Sequence, residues 1–236
     1  MQETFGPGDP AIRHVLFDMD NTLWDFVGAK REACRAVVED LGAGDAEALY
    51  QYFRRPGVGY EDLQNIRDYL AMLGAGREAF GRSCWVYERA KLTSIRLFDG
   101  VEETLGAIAG AGITMAVVTD AYSFQALARL EQTGLRDYFS YLVTPDLTGR
   151  KKPDPTQFCC AINALSAEPA TTMVVGDSIR REVAPAKALG MQAAYALYGD
   201  HSEGPEPICR PDYVLQEIRD LIPALGIEFP SGSLRV

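Results

Sequence analysis

The chain reads as an α/β protein whose parallel sheet carries helices on both faces, interrupted after its first strand by an inserted α-helical block. Two observations predict this. From residue 100 onward, short apolar runs alternate with amphipathic stretches, as successive β–α units require. Between residues 25 and 95 the alternation stops, and apolar residues recur only at helical spacing.

The elements follow in order. Val15, Leu16 and Phe17 form a short apolar run that ends abruptly in Asp18, Met19 and Asp20, which reads as a buried first strand. In FVGAKREACRAVVEDLG, Val27, Cys34, Val37, Val38 and Leu41 share one helical face, and Gly42 is a stop. DAEALYQYFRR, YEDLQNIRDYLAMLG and AFGRSCWVYERAKL repeat the helical pattern, with breaks at Pro56-Gly57 and at residues 74–76. Beyond them, helix VEETLGAIAGAG precedes strand ITMAVVTD, and helix YSFQALARLEQTG precedes a short strand at YLVT. Helix PTQFCCAINAL leads to strand TTMVVGD, and helix RREVAPAKALG to strand MQAAYAL. DYVLQEIRDLIPAL supplies an edge strand and a closing helix, and the tail FPSGSLRV is expected to fray. We therefore expect a Rossmann-like core from residues 1–24 and 96–236 and a cap domain of about four helices from residues 25–95.

Composition narrows the function. At 236 residues, 47% hydrophobic and 24% charged, the chain is ordinary for a globular protein. A net charge of -10 argues against broad binding to nucleic acid or anionic membranes, and it demands local positive charge wherever a phosphate is to bind. No apolar run approaches a membrane span, and MQETFGPGDP lacks the order of a signal peptide. The five cysteines (34, 84, 159, 160 and 209) are odd in number and form no C-x-x-C pair, so reduced thiols and a cytoplasmic location are expected.

In sheets of this kind, ligands sit beyond the carboxyl ends of the strands. Here those ends carry Asp18 and Asp20, Thr119 and Asp120, the loop to Lys152, and Gly176-Asp177. Two carboxylates two residues apart repel, so they call for a cation, a shared proton or abundant water. An EF-hand loop fails, because its sixth position is Leu23 rather than Gly and its twelfth is Ala29 rather than Glu. With Mg²⁺ bound, one carboxylate stays ionised and can attack phosphorus. The other can protonate a leaving oxygen and later activate water.

DMDNT after a strand resembles the D-x-D-x-T signature of the haloacid dehalogenase superfamily, whose members are mostly Mg²⁺-dependent phosphatases. VVTD resembles its second motif, GRKKPDP its third and VVGDSIRREV its fourth, all in order, and a helical insertion after the first motif matches the family's first cap type. The resemblance implies Asp18 as nucleophile and Asp20 as general acid and base. It implies phosphate binding by the Thr119 hydroxyl and the Asp120 backbone N–H. It makes Lys152, directly before Pro153, the counter-charge to nucleophile and phosphoryl group. Asp18, the backbone carbonyl of Asp20, and Asp177 would ligate Mg²⁺. Glu182, standing where many members have Asp, would give outer-shell support to metal-bound water or Lys152. Arg54, Arg55 and Tyr60 flank the Pro56-Gly57 break, where a solvated helix end competes with a substrate-facing loop.

The expected protein is thus a phosphomonoesterase for a small phosphorylated metabolite, monomeric or homodimeric. A phosphomutase uses the same core residues. Superfamily dehalogenases lack the acid two residues after the nucleophile and need no metal, so Asp20 and Asp177 speak against that chemistry. A non-catalytic binding domain would be expected to have lost one of these polar positions, and none is lost.

Overall fold

The computed structural model describes residues 12–202 and 209–229. MQETFGPGDP and the tail from Pro230 onward, expected to fray, lie outside the described residues. The chain divides into two compact units, one made of residues 1–24 and 97–236, the other of residues 25–96.

The first unit is a Rossmann-like α/β layer structure. Its strands are β1 (His14–Phe17), β2 (Thr114–Val118), β3 (Tyr141–Val143), β4 (Thr172–Gly176), β5 (Gln192–Ala196) and β6 (Tyr213–Leu215). All pair in parallel in the order β3-β2-β1-β4-β5-β6, so β1 lies between β2 and β4. The register aligns Phe17 with Val117 on one side and Val175 on the other. A parallel sheet is covered on both faces, which explains why these strands are apolar throughout rather than alternating. Leu16, Val118, Val174 and Phe158 pack in one continuous buried cluster.

The second unit is helical: α1 (Phe26–Leu41), α2 (Ala46–Arg54), α3 (Gln64–Met72) and α4 (Arg77–Thr93). The Asp25 carboxylate caps α1 by accepting from the Gly28 N–H at 2.7 Å, and Gly42 ends it at φ 64°. Its core joins Cys34, Val37, Leu49, Phe53, Tyr69 and Tyr87, with Phe53 stacked on Tyr87 at 4.7 Å. Two lysines are buried in it. Lys30 lies over the rings of Tyr60 and Phe53 at 3.7 and 4.3 Å, while Lys91 pairs with Glu61 and Glu88 at 3.1 and 2.9 Å. The cation–π and ionic partners offset the desolvation that isolated buried ammonium groups would suffer.

Helices α5 (Val101–Gly110), α6 (Ser123–Gln132), α7 (Pro145–Thr148), α8 (Thr156–Leu165), α9 (Ala184–Ala188) and α10 (Leu221–Ala224) complete the first unit. Two stretches depart from expectation. The helix expected over RREVAPAKALG is a π-helical turn, Ile179–Val183, followed by the short α9. The closing helix is a 3-10 turn at Ile218–Asp220 running into the single turn of α10, interrupted by Pro223.

Two predictions follow from the packing. Gly199 lies so close to the loop after β1 that a Cβ there would stand 1.6 Å from the backbone oxygen of Asn21. That oxygen belongs to the backbone, so Gly199→Ala should cost about 1–3 kcal/mol, read as a lowered urea midpoint at unchanged slope. Burial pushes the Cys34 thiol up to about 12, against the opposing pull of Lys30. Thiolate, the reactive form, should therefore be scarce at pH 8, and iodoacetamide mapping should leave Cys34 unmodified in folded protein and modified in urea.

Candidate active site

The site grows from the ends of the three central strands. Backbone hydrogen bonds carry the sheet one residue past β1 and β2: Asp18 N–H donates to Val175 O at 2.9 Å, and Thr119 N–H to Val143 O at 3.0 Å. These bonds bring Asp18, Thr119 and Asp177 to one edge, where strand order reverses direction around β1. The chain then turns sharply. Asn21 takes a left-handed φ of 66°, a conformation asparagine tolerates better than most residues. Its N–H donates to Trp24 O at 2.9 Å, closing the turn.

Asp18 is buried and accepts from the Thr22 hydroxyl at 3.3 Å and from the Lys152 ammonium. Lys152 Nζ also pairs with Glu182 Oε1 at 2.7 Å and donates to Val118 O at 3.0 Å. Its side chain is wholly shielded from solvent. Burial works to lower the Lys152 pKa, but the carboxylates of Asp18, Glu182 and Asp120 prevail and raise it, so the ammonium stays charged throughout the neutral range. The neighbouring Lys151 instead places its ammonium 5.5 Å from the Tyr122 ring, away from Asp18's ion pair.

Asp120 acts through its side chain. Its carboxylate accepts from the backbone N–H of Lys152 at 2.9 Å and so ties the lysine's loop to the end of β2. Thr119 is buried, and its Oγ1 accepts from Ala121 N–H at 3.1 Å, orienting the hydroxyl at the strand end.

Asp18, Asp177 and Glu182 each present a carboxylate oxygen within 4.8 Å of the others, and all three are buried. Hard oxygen donors at that spacing fit Mg²⁺. Within the cluster Glu182 is already committed, with Oε1 facing Lys152 and Oε2 accepting from Ser178 N–H at 3.0 Å. That commitment suits it to support better than to direct ligation. Gly176 makes its approach feasible, since a Cβ there would meet Glu182 Cγ at 2.2 Å. Burial pushes the Asp177 carboxyl well above the usual range and the nearby Glu182 and Asp18 charges add to this, while Arg181 opposes it. Such a carboxylate gains most from a cation.

Asp20 is held differently. One carboxylate oxygen accepts from Trp24 Nε1 at 2.8 Å, and the other pairs with Arg129, a buried residue of α6. Sequence reasoning gave no part to Trp24, Arg129, Arg181 or Tyr198. Thr22 and Arg181 lie inside the DMDNT and VVGDSIRREV motifs, whereas Arg129 and Tyr198 had no local signal. The Tyr198 hydroxyl donates to Thr22 O at 2.7 Å from 176 residues away, and burial near Asp177 and Asp18 keeps that phenol protonated. In the helical unit, Arg55 pairs with Asp68 and donates to Asn65 Oδ1 at 3.1 Å, and the Tyr60 hydroxyl meets that of Tyr50 at 3.2 Å. Arg55 is thus engaged within its own helices.

Residues 12–190 match the haloacid dehalogenase-like hydrolase family. The chain is 30% identical to the phosphoglycolate phosphatase of Neisseria meningitidis, over 89% of this chain and 94% of that relative. It is 29% identical to the glyceraldehyde 3-phosphate phosphatase of Pyrococcus furiosus, over 92% and 94% of the two chains. Among solved structures, it superposes on a phosphatase of the same superfamily from Thermococcus onnurineus with a TM-score of 0.65 at 23% identity, covering 93% of this chain and 100% of that one. A 2-haloacid dehalogenase from Pseudomonas syringae superposes with a TM-score of 0.64 at 24% identity, covering 91% and 97%, so the shared fold by itself does not separate the two chemistries. On the extent of the family match and the identity to full-length relatives, the chain belongs to the haloacid dehalogenase-like hydrolases.

Proposed function

We propose that this chain is a Mg²⁺-dependent phosphomonoesterase that transfers the phosphoryl group of a small phosphorylated metabolite to Asp18 and then to water. The observation that carries the reading is the pairing of buried Asp18 with the fully buried Lys152 ammonium beside the carboxylates of Asp177 and Glu182. That arrangement sets a cation against the nucleophilic carboxylate and supplies local positive charge to an anionic substrate in a net-acidic protein. The phosphatase names of the full-length relatives support the same reaction class.

In this reading, an Asp18 oxygen attacks phosphorus as the ester oxygen departs, forming an aspartyl-phosphate. Asp20 donates a proton to the leaving oxygen and then takes one from the water that hydrolyses the acyl-phosphate. Thr119 Oγ1 and the Asp120 N–H hold phosphoryl oxygens. Lys152 offsets the charge that gathers on phosphoryl group and nucleophile. Asp18, the Asp20 carbonyl and Asp177 would hold Mg²⁺, which supplies Lewis-acid neutralisation of phosphoryl charge when bound. Glu182 holds Lys152 and the Ser178 backbone around them. The acid at Asp20 and the second metal carboxylate at Asp177 favour phosphoester over haloacid chemistry.

Phosphate release from a panel including 2-phosphoglycolate and glyceraldehyde 3-phosphate should require Mg²⁺ and vanish with excess chelator. Asp18→Asn should abolish turnover while leaving the melting temperature within a few degrees; wild-type activity in that variant would remove Asp18 as nucleophile. Lys152→Met leaves Asp18 and Glu182 buried without their shared cation. It should cost about 3–5 kcal/mol in chemical denaturation and eliminate measurable turnover.

A further inference from the structure

We infer that Arg181 is a built-in counter-cation of the metal site, which occupies Asp177 in the metal-free protein, leaves it when Mg²⁺ binds, and thereby weakens the site's hold on the metal. The inference rests on the metal site proposed above, and it concerns a residue to which the family motifs assign no part.

The three clustered carboxylates are not equally provided for. Asp18 has Lys152 and the Thr22 hydroxyl, and Glu182 has Lys152 and the Ser178 N–H. Asp177 has only Arg181 among the described residues, whose Nη2 lies 3.1 Å from Oδ1 and 3.5 Å from Oδ2. One guanidinium nitrogen therefore faces both oxygens of the carboxylate that a cation would need. The two site cations also differ in freedom. The Lys152 side chain has no exposed surface, whereas that of Arg181 retains 37%. Arg181 thus reaches solvent beside Asp177, and Lys152 does not.

Arg181 owes this position to the π-helical turn of Ile179–Val183, whose start is capped by the Ser178 hydroxyl accepting from Arg181 N–H at 3.2 Å. The same turn aims Glu182, the next residue, at Lys152. Occupation of Asp177 by a guanidinium stabilises the metal-free state, and any interaction confined to that state subtracts from metal affinity. Two like charges on one carboxylate also repel across a few ångströms of partly desolvated space.

The test measures Mg²⁺ binding by calorimetry on the folded full chain, comparing wild type with Arg181→Met and Arg181→Lys. Arg181→Met, which keeps the stem and loses the charge, should bind Mg²⁺ about tenfold more tightly, the scale of one modest charge interaction at this distance. Arg181→Lys should stay close to wild type. A second readout follows Mg²⁺ titration of wild type and needs only the conservative lysine variant for assignment, so it survives a folding failure of the methionine variant. The Arg181 Nε resonance, assigned by its loss in Arg181→Lys, should move toward the solvent-exposed arginine position as Mg²⁺ saturates. Equal or weaker binding by Arg181→Met, or an Arg181 resonance unmoved at saturation, overturns the inference and leaves the metal site standing. Absence of Mg²⁺ binding by wild type overturns the metal site itself, and the inference with it.

Discussion

The structure depends on one buried ammonium. Lys152 is placed where the sheet's central strands end, and it satisfies Asp18, Glu182 and the carbonyl of Val118 together. Two of those three partners are carboxylates sheltered from water, and each would be costly to bury alone. Their neighbour Asp177 adds a further charge to the same few ångströms. A cation without solvent access on one side, and room for a divalent cation on the other, makes such a concentration of negative charge tolerable. The overall charge of -10 makes the local arrangement more telling, since the positive charge at the site comes from particular side chains, Lys152 and Arg181.

Holding that lysine requires backbone precision from several segments. Asp120 fixes its N–H from the end of β2, and Glu182 reaches it over Gly176, where a side chain would not fit. Ser178 and the π-helical turn aim both Glu182 and Arg181 inward. On the other side of Asp18, the left-handed turn at Asn21 presses against Gly199, and Tyr198 donates to the carbonyl of Thr22. The site is therefore a convergence of loops on a rigid parallel sheet, with each loop held by its own hydrogen bonds.

Asp20 has a different kind of support. Trp24 and Arg129 approach its two carboxylate oxygens, so the proposed acid–base group is held by an indole and a guanidinium. Trp24 is four residues along the same turn, while Arg129 comes from the inward face of α6. The arrangement couples the position of α6 to that of the acidic loop. A buried arginine on an amphipathic helix looks, in sequence, like an interruption of its apolar face, and its reason is visible only once Asp20 is opposite.

By itself, the sequence determined the periodic and the local. The alternation after residue 100 specified β–α units, the helical spacing between residues 25 and 95 specified an inserted helical block, and the acidic and hydroxyl residues at strand ends marked the site edge. These are legible because hydrophobic period and motif spacing are properties of a few consecutive residues. Tertiary structure decided the rest. The π-helical turn arises where a regular helix was expected, because Ser178, Glu182 and Arg181 each answer to partners outside the helix or at its start. Of the two adjacent lysines, the family pattern singled out Lys152, but its burial against carboxylates 30 and 134 residues distant depends on the assembled sheet. Arg129 with Asp20, and Tyr198 with Thr22, lie 109 and 176 residues apart in the chain. Pairings at such separations leave no period and no spacing to read; they exist because strand order folds those distances to a hydrogen bond.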